Sequence, residues 1–575
     1  MKKYIFYLIA FLAISCEDVS DKKNLGAIDD SYVWSDPNMI ELNVNSFYAN
    51  WMPAGLFKQS ALIQNGIISD EAHSGYNGRA VNIINGVRFG ADRTDVPFQN
   101  WYYGGIRKAN EFLQNIEERY ILPANATQAQ KEQRDRFIGE VRFYRAHLYW
   151  EMIKVYGGVP IITQVIDKDE TDESLLYPKR NTTDESFTFI IKELKEAADL
   201  LPVTYSGDNW GRITKGAALA YCARIQLYRA SPMFNPSNEK KYWEDAYDTY
   251  KDVIGLDVYD LHPTFSDIWK EKGENNKEII WFKDYKKGTI THGWDAGNMM
   301  RSQAVGDATA NCPVQELVDA FPMKDGTPYV KSNPETNPYD YRDPRLRETV
   351  VWNGDTYGPR KEKVYTFVSE STDPNSPMYN FDGIDSHQSA TSTGYYMRKM
   401  KDESLDGTKG DYGYGKGSYT QWVELRYAEV LLGLAEAANE IGETEEGVEQ
   451  IKLIRKRAGI LPGENKRYGI PENISVDDFR TLVQNERYIE LAFEDKPYWD
   501  LRRWKLAHLK LNNQLTAMEI RKKINGEEIS YTYTRRVQRH DKTNKPVFLE
   551  KFYFLPLPKE ELLRNPNLEQ NEEWK

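Results

Sequence analysis

The run Arg142-Phe-Tyr-Arg-Ala-His-Leu-Tyr-Trp-Glu-Met-Ile-Lys-Val-Tyr-Gly-Gly-Val-Pro160 reads as the body and the end of one long helix. An amphipathic pattern runs from 137 to 155, and Gly157-Gly158-Val159-Pro160 then stops the segment. Glycine tolerates the left-handed dihedrals of a helix end, and proline cannot continue the helix. The same period extends outward in both directions. Upstream, Ile106, Ala109, Asn110, Leu113 and Ile116 mark another helix, and downstream come segments 186–201, 214–230 and 246–254. Segment 214–230 is rich in small residues that permit close helix packing. Segments 424–441 and 445–458 form a pair around Gly442, and 476–493 with 498–509 forms another, broken at Pro497. Paired helices of this length predict stacked helical hairpins of tetratricopeptide type. The repeat motif itself is not legible, so this expectation rests on the pairing alone.

Between residues 288 and 396 the character changes. Gly, Pro, Asn, Asp and Ser become frequent, and helical period survives only at 314–321. Short β-prone pieces appear, such as Lys363-Val-Tyr-Thr-Phe-Val368. Loops this long are usually functional or disordered. Their scattered aromatics, Trp294, Trp352, Tyr357, Tyr379 and Phe381, favour function, with disorder of part of 369–392 as the alternative. The expected fold is mostly α: one globular unit of tetratricopeptide-like stacked helical hairpins, with a long loop-rich insert carrying short strands.

The N-terminus states a location. Lys2 and Lys3 precede an apolar stretch over 4–14, and Ala13-Ile14-Ser15 offers small residues before Cys16. That is the layout of a secretory signal peptide. The stretch is too short to span a bilayer, which needs about 20 apolar residues. A cysteine directly after the cleavage point is what bacterial lipoprotein processing requires, and more than one acyl chain gives stable anchoring. An ordinary secreted protein is the alternative, and Ala13 stands where the lipoprotein consensus prefers Leu. The acidic run Glu17-Asp18-Val19-Ser20-Asp21 resembles the surface-export signal of Bacteroidetes lipoproteins. The expected order is a signal peptide over 1–15, a flexible tether over 16–35, and a lipid-anchored protein facing the cell exterior.

Composition narrows the function. A net charge of −12 argues against nucleic acid, because phosphate binding needs a basic footprint. Of three cysteines, Cys222 lies in an apolar helical run, where a buried free thiol is expected rather than a disulfide to Cys312. Aromatic residues reach 13%, with 14 Trp and 38 Tyr. Trp and Tyr offer a flat apolar face with a polar edge, which suits the C–H faces and hydroxyls of sugars. Most must still be core; those in loops are the candidates for binding.

Seven blocks now carry a resemblance. The run 142–160 closely resembles the hallmark of the SusD/RagB family. In the family's order follow Trp210-Gly-Arg-Ile-Thr-Lys-Gly-Ala-Ala218, Asn337-Pro-Tyr-Asp-Tyr-Arg-Asp-Pro-Arg-Leu346 and Thr393-Gly-Tyr-Tyr396. Leu425-Arg-Tyr-Ala-Glu-Val-Leu-Leu-Gly-Leu-Ala-Glu-Ala-Ala438 comes next, then Asn485-Glu-Arg-Tyr-Ile-Glu-Leu-Ala-Phe-Glu494 running on to Trp499-Asp-Leu-Arg-Arg-Trp504. Pro556-Leu-Pro558 with Asn565-Pro-Asn-Leu-Glu-Gln-Asn571 closes the series. The resemblance divides the mature chain into a SusD-like N-terminal helical part, 36–287, and a SusD/RagB C-terminal part, 288–575, holding the loop-rich region 288–396. It implies an outer-membrane, cell-surface lipoprotein that captures a polysaccharide or oligosaccharide. The implied partner is a SusC-like TonB-dependent transporter, and family members are not enzymes. The second reading is capture of peptide or another nutrient for such a transporter; a glycoside hydrolase on a helical toroid is the third.

Most charged motifs have a structural reading. Glu486, Glu490 and Glu494 are spaced i, i+4, with Arg487, Arg502 and Arg503 close by. One helix face cannot place two carboxylates on opposite sides of a sugar bond. A charge network locking two helices together is expected instead. Arg342, Asp343 and Arg345 read as a turn stapled by ion pairs. Gly157-Gly158 has no phosphate-loop context, no histidine pair has zinc spacing, and no nucleophile elbow is present. No cofactor and no metal are expected.

Two loop regions combine aromatics with polar groups. The first, 71–101, holds Glu71, His73, Tyr76, Asn77, Arg79, Asn100 and Trp101; the second, 288–298, holds His292, Trp294, Asp295 and Asn298. In the starch-binding member of the resembled family, the ligand arc draws on an acidic residue and an arginine before a tryptophan. Glu71, Arg79 and Trp101 resemble that order. Trp101 has a core role as its alternative, because it precedes the helix near Ile106. Trp294, flanked by Gly293 and Asp295, is the leading platform, and Tyr357 a weaker third.

Overall fold

The computed structural model describes residues 30–58, 65–75, 90–92, 98–167, 169–303, 309–331, 333–387, 390–411, 416–539 and 545–575. Cys16, the signal peptide and the tether to residue 29 lie outside them. The tether is shorter than expected at its far end. Trp34 is buried edge-on against Phe112, their centroids 5.5 Å apart, so the chain is already anchored there.

The helical scaffold begins with α1 (Pro37–Trp51), started by Asp36, whose side chain accepts from the Asn38 N–H. Next are α2 (Tyr103–Arg119) and α3 (Gln128–Tyr156). Helix α3 opens with a capping box between Thr127 and Gln130 and stops at Gly157, φ 77°, as the glycine pair predicts. Gly158 lies so close to the next segment that a Cβ would sit 2.0 Å from the Asn181 carbonyl. Then come α4 (Thr183–Leu200), with a Thr182/Glu185 capping box, α5 (Lys215–Ala230), capped by Thr214, and α6 (Lys240–Gly255). After the insert follow α7 (Tyr427–Ile441), α8 (Thr444–Ala458), α9 (Val476–Glu490) and α10 (Pro497–Arg503). Each of α2 to α8 packs on the next in sequence, which is the stacked-hairpin arrangement. The step from α6 to α7 needs Gly433, where a Cβ would stand 2.2 Å from the Tyr250 ring.

Residues 424–426, expected to be helical, are strand instead. β1 (Ile279–Lys283) pairs antiparallel with β2 (Trp422–Arg426), which runs straight into α7. The β-branched and aromatic side chains of both strands are buried, and this overrides the helical period. A long hairpin, β3 (Thr516–Asn525) and β4 (Glu528–Val537), was not anticipated; it turns at Gly526, φ 63°. The β-prone piece at 363–368 is strand only at Glu362–Lys363. Beyond that it is held by single bonds, such as Val368 N–H to the Ile520 carbonyl at 2.8 Å.

One core runs through the helices and takes in the C-terminal segment, with Phe548, Phe552, Leu555 and Leu557. A second lies under the loop-rich insert and holds Trp294, Phe321, Leu346, Trp422 and Phe493. Both Cys222 and Cys312 are buried free thiols, as read for Cys222.

Between the cores lies a buried charge network. Glu490 accepts from Arg426 (2.7 Å), Arg345 (2.8 Å) and Arg457. Glu494 accepts from Arg426 and Lys399, both at 2.7 Å, and Glu486 from Arg455 at 2.9 Å. Glu278 of the segment entering β1 joins through Arg426 at 2.7 Å and Arg457 at 2.8 Å. The network is as expected in kind, but its cations differ from those expected. Arg487 and Arg503 pair with Asp500, and Arg502 donates to the Phe552 carbonyl at 2.7 Å. Arg345 is paired with Asp343 at 2.7 Å, while Arg342 donates to backbone carbonyls of 318, 321 and 338. Against the penalty of burial, Arg457, Arg426 and Arg345 hold the Glu490 carboxyl well below its usual range.

Breaking one side of a buried ion pair costs about 3–5 kcal/mol, because a charge is left uncompensated. Glu490→Gln is therefore expected to lower folding stability by that order in a urea titration followed by circular dichroism. Arg107→Ala removes an exposed pair with Glu111 one helical turn away and is expected to cost less than about 1 kcal/mol.

Candidate functional site

A shallow depression of about 670 Å³ lies where the end of the insert meets the open end of the β3–β4 hairpin. Tyr379, Phe381 and His387 supply ring faces; Asn380, Asp385, Glu519, Arg536 and Arg539 supply polar groups. Phe381 is 41% exposed and stacks on His387, with ring centroids 4.8 Å apart and planes at 30°. With Phe381 exposed and His387 half-buried beside it, the pair forms a surface platform that no core demands.

The loop is held rigidly beneath it. Asn380 Nδ2 donates to the carbonyls of Tyr365 (3.1 Å) and Phe367 (2.8 Å). Ser386 Oγ donates to the Phe381 carbonyl at 2.7 Å, and Tyr396 OH to the Asp382 carbonyl at 2.9 Å. Asp385 takes a left-handed φ of 57°, and its carboxylate pairs with Arg536 and, at 2.9 Å, with Arg539. Arg536 also reaches Glu519 at 3.2 Å, and Arg539 Nη2 donates to the Gly75 carbonyl at 2.7 Å. Ring faces thus stand beside fixed donors and acceptors. Such a surface has the chemistry to take a polyhydroxylated ring, whose C–H faces can stack while its hydroxyls bond to carboxylate, amide and guanidinium.

The residues singled out in the sequence fall elsewhere. Trp294 is 2% exposed; its Nε1 donates to the Lys399 carbonyl at 3.2 Å, and its ring packs on Phe57 at 5.4 Å. No helical period marks it, yet a core assembled from loops needs none, so its face is unavailable for stacking. Its neighbours are buried too. His292 stacks on Phe57 at 3.9 Å, and burial pushes its imidazole down to about 3. Asp295 accepts from Ser418 and from the Asp402 N–H at 2.9 Å. Tyr357 is buried between Val351, Val364, Met300 and Tyr396, with the Lys401 ammonium 4.8 Å from its ring.

Glu71 is also internal. Its carboxyl accepts from Ser69 Oγ at 2.8 Å and the Phe493 N–H at 2.6 Å, and burial pushes it up to about 8. It fixes a backbone turn rather than meeting a ligand. Trp101 is half-buried against Tyr103 (5.0 Å) and Tyr156 (5.7 Å), the core role named as its alternative. Tyr76, Asn77 and Arg79 lie outside the described residues. Of the loop aromatics read from the sequence, Tyr379 and Phe381 reach the depression. His387, Asp385, Arg536 and Arg539 were missed; the local signal for the first two was the Gly/Asp/Ser-rich run from Asp382 to Ser386 around an exposed aromatic.

Trp294→Ala is accordingly expected to lower stability by about 3–5 kcal/mol, the cost of emptying a packed aromatic site. Differential scanning calorimetry checks this; an unchanged melting temperature would contradict the burial.

Among the described residues, no helix is long and apolar enough to cross a membrane, and no group of His, Cys, Asp or Glu is placed to hold a metal ion. A family model described as the SusD family matches residues 277–574, and a second, "Starch-binding associating with outer membrane", matches 41–227. "SusD-like protein P2" of Formosa agariphila is 24% identical over 99% of this chain and 99% of its own length. The crystal structure of a SusD-like protein from Bacteroides fragilis superposes with a TM-score of 0.72 at 26% identity, covering 95% of this chain and 98% of that one. Another from the same organism, described as a SusD-like carbohydrate-binding protein, gives 0.72 at 23% identity, covering 93% and 100%. The matched model spans more than half of the chain, and the chain belongs to the SusD family.

Proposed function

We propose that this protein is a surface lipoprotein that captures a polysaccharide or oligosaccharide and delivers it to a SusC-like TonB-dependent transporter. The observation that carries the reading is the exposed Phe381–His387 stack beside the Asp385, Arg536 and Arg539 charges. The family descriptions of starch binding and outer-membrane association support it. Tyr76, Asn77 and Arg79 come just after Gly75 in the sequence, whose carbonyl accepts from Arg539, and these three remain candidate ligand contacts. The role is binding rather than catalysis: Glu486, Glu490 and Glu494 are consumed in the buried network. Cys16 carries the lipid that holds the protein at the outer membrane, facing the exterior.

A panel of polysaccharides in affinity gels identifies the ligand. Ring stacking is worth about 1–3 kcal/mol by alanine substitution of aromatics under nucleic-acid bases, and that scale is borrowed here. Phe381→Ala is then expected to weaken retention by about tenfold or more. Because Phe381 is exposed, its melting temperature should stay where it was. Unchanged retention would remove this face as the binding site.

Location and partnership are checked together in native membranes. Cys16→Ala should move the protein out of the membrane fraction, and the wild-type chain in mild detergent should bring down a large β-barrel protein. A Cys16→Ala variant that stays membrane-bound contradicts the lipid anchor, and repeated recovery of the lipoprotein alone contradicts the transporter.

A further inference from the structure

A cavity of about 400 Å³ opens between α9, α10 and the short helix Gln315–Ala320, within the range of small-ligand sites, about 300–1,000 Å³. It shares no lining residue with the loop face. Its lining carries three carboxylates, Asp70, Glu316 and Asp500, against one cation, Lys510. Asp500 is closed by Arg487 at 2.9 Å and Arg503 at 2.7 Å. Glu316 has no cation but accepts from the Thr516 N–H at 3.0 Å and from its Oγ1 at 2.6 Å. Asp70 has less. Among the described residues it makes no ion pair, and its Oδ1 has no hydrogen-bond donor. The residue is half-buried and lines the cavity, so its carboxylate can be reached from there. Burial pushes that carboxyl up to about 6, as expected of a charge with no partner. Lys510 is exposed and makes no ion pair among the described residues.

The hydrogen-bond donors around the cavity are spent on the protein itself. Tyr488 OH donates to the Asp70 carbonyl at 2.5 Å, and Thr481 Oγ1 to the Asp477 carbonyl at 3.0 Å. Trp504 Nε1 donates to Glu436 at 2.7 Å. The Asn485 and Asn513 amides place Nδ2 on the carbonyls of Ala320 and Leu509, each at 2.9 Å. Their Oδ1 atoms are left without a protein donor among the described residues. What the lining lacks is positive charge and N–H groups.

That deficit selects the ligand class. An anion would meet carboxylates that no cation offsets, and a neutral hydroxyl or amide would leave the Asp70 charge as it is. A cation bearing N–H donors supplies both missing elements through charge-assisted bonds. Half-buried Tyr488 and Leu506 offer an apolar wall beside it. We propose that this cavity binds a protonated primary amine, with its ammonium on the Asp70 carboxylate and its carbon stem along Tyr488 and Leu506.

The site goes beyond glycan capture and does not rest on it. Full-length protein is titrated by isothermal calorimetry with cadaverine, a free diamine, and with Nα-acetyl-lysine amide, which carries the amine as a peptide does. Butanamide is the neutral control, and tetramethylammonium is the cation without N–H donors. At least one of the two amines should bind, and which one does separates a free amine from a lysine side chain. Asp70→Asn keeps the shape, removes the charge and should weaken binding by about tenfold or more. Lys510→Gln, at an exposed position, removes the competing cation and should tighten binding by about threefold, and its direction decides alone if Asp70→Asn does not fold. No heat from either amine, equal binding of either control, or an affinity unmoved in a folded variant overturns the proposal. Phe381→Ala should leave amine binding as it was, and Asp70→Asn should still retain polysaccharide, so the two readings fail separately.

Discussion

Everything on the candidate face depends on the charge network around Glu490. Buried ions are tolerated only when each is paired and bonded, since unpaired ones cost several kcal/mol. Here Glu486 and Glu490 lie on α9 and Glu494 in the turn that follows it, Arg455 and Arg457 come from α8, and Arg426 and Glu278 from the two-stranded sheet and its approach. Arg345 comes from the insert and Lys399 from the segment just after it. A loop-rich segment with little secondary structure of its own is thereby bolted to the helical stack through charge-assisted bonds. Directional bonds of this kind fix register as well as proximity, which apolar packing alone does less sharply.

From that anchor the order propagates outward to the surface. The insert receives β3 through the Met518 N–H on the Thr393 carbonyl and the Thr516 N–H on Glu316. β3 in turn receives residue 368, and β4 contributes Arg535 to Asp319 and Arg536 to Asp385. The exposed Phe381 therefore stands on a chain of fixed bonds rather than on a free loop. A platform ordered before binding would lose less conformational entropy on taking a ligand, leaving more of any stacking energy as affinity.

The scaffold was legible because helices write their period, caps and stops into local sequence. Thr127 with Gln130, Thr182 with Glu185, and Gly157 before Pro160 each act within a few residues. The two-stranded pairing at 422–426 was not legible, because its partner lies at 279–283 and the strand adjoins a strong helix. The β3–β4 hairpin does carry a local signal, Asn525-Gly526 between β-prone runs. The network was legible as charges at i, i+4, but its cations were not, since Arg345, Arg426 and Arg457 are distant in sequence. For the site, loop position was a poor guide to exposure. Trp294 and Tyr357 sit in loops and are core, while Phe381 sits in the same insert and is exposed. The difference is set by tertiary packing that no local window contains.

The central claim is that glycan docks on the face built from the end of the insert and the open end of the β3–β4 hairpin. Hydrogen–deuterium exchange of the whole chain, with and without the polysaccharide it retains, tests this directly. The account predicts slowed exchange in peptides covering 366–387 and 533–539. Protection confined to other segments, with 366–387 unchanged at saturating ligand, would contradict it.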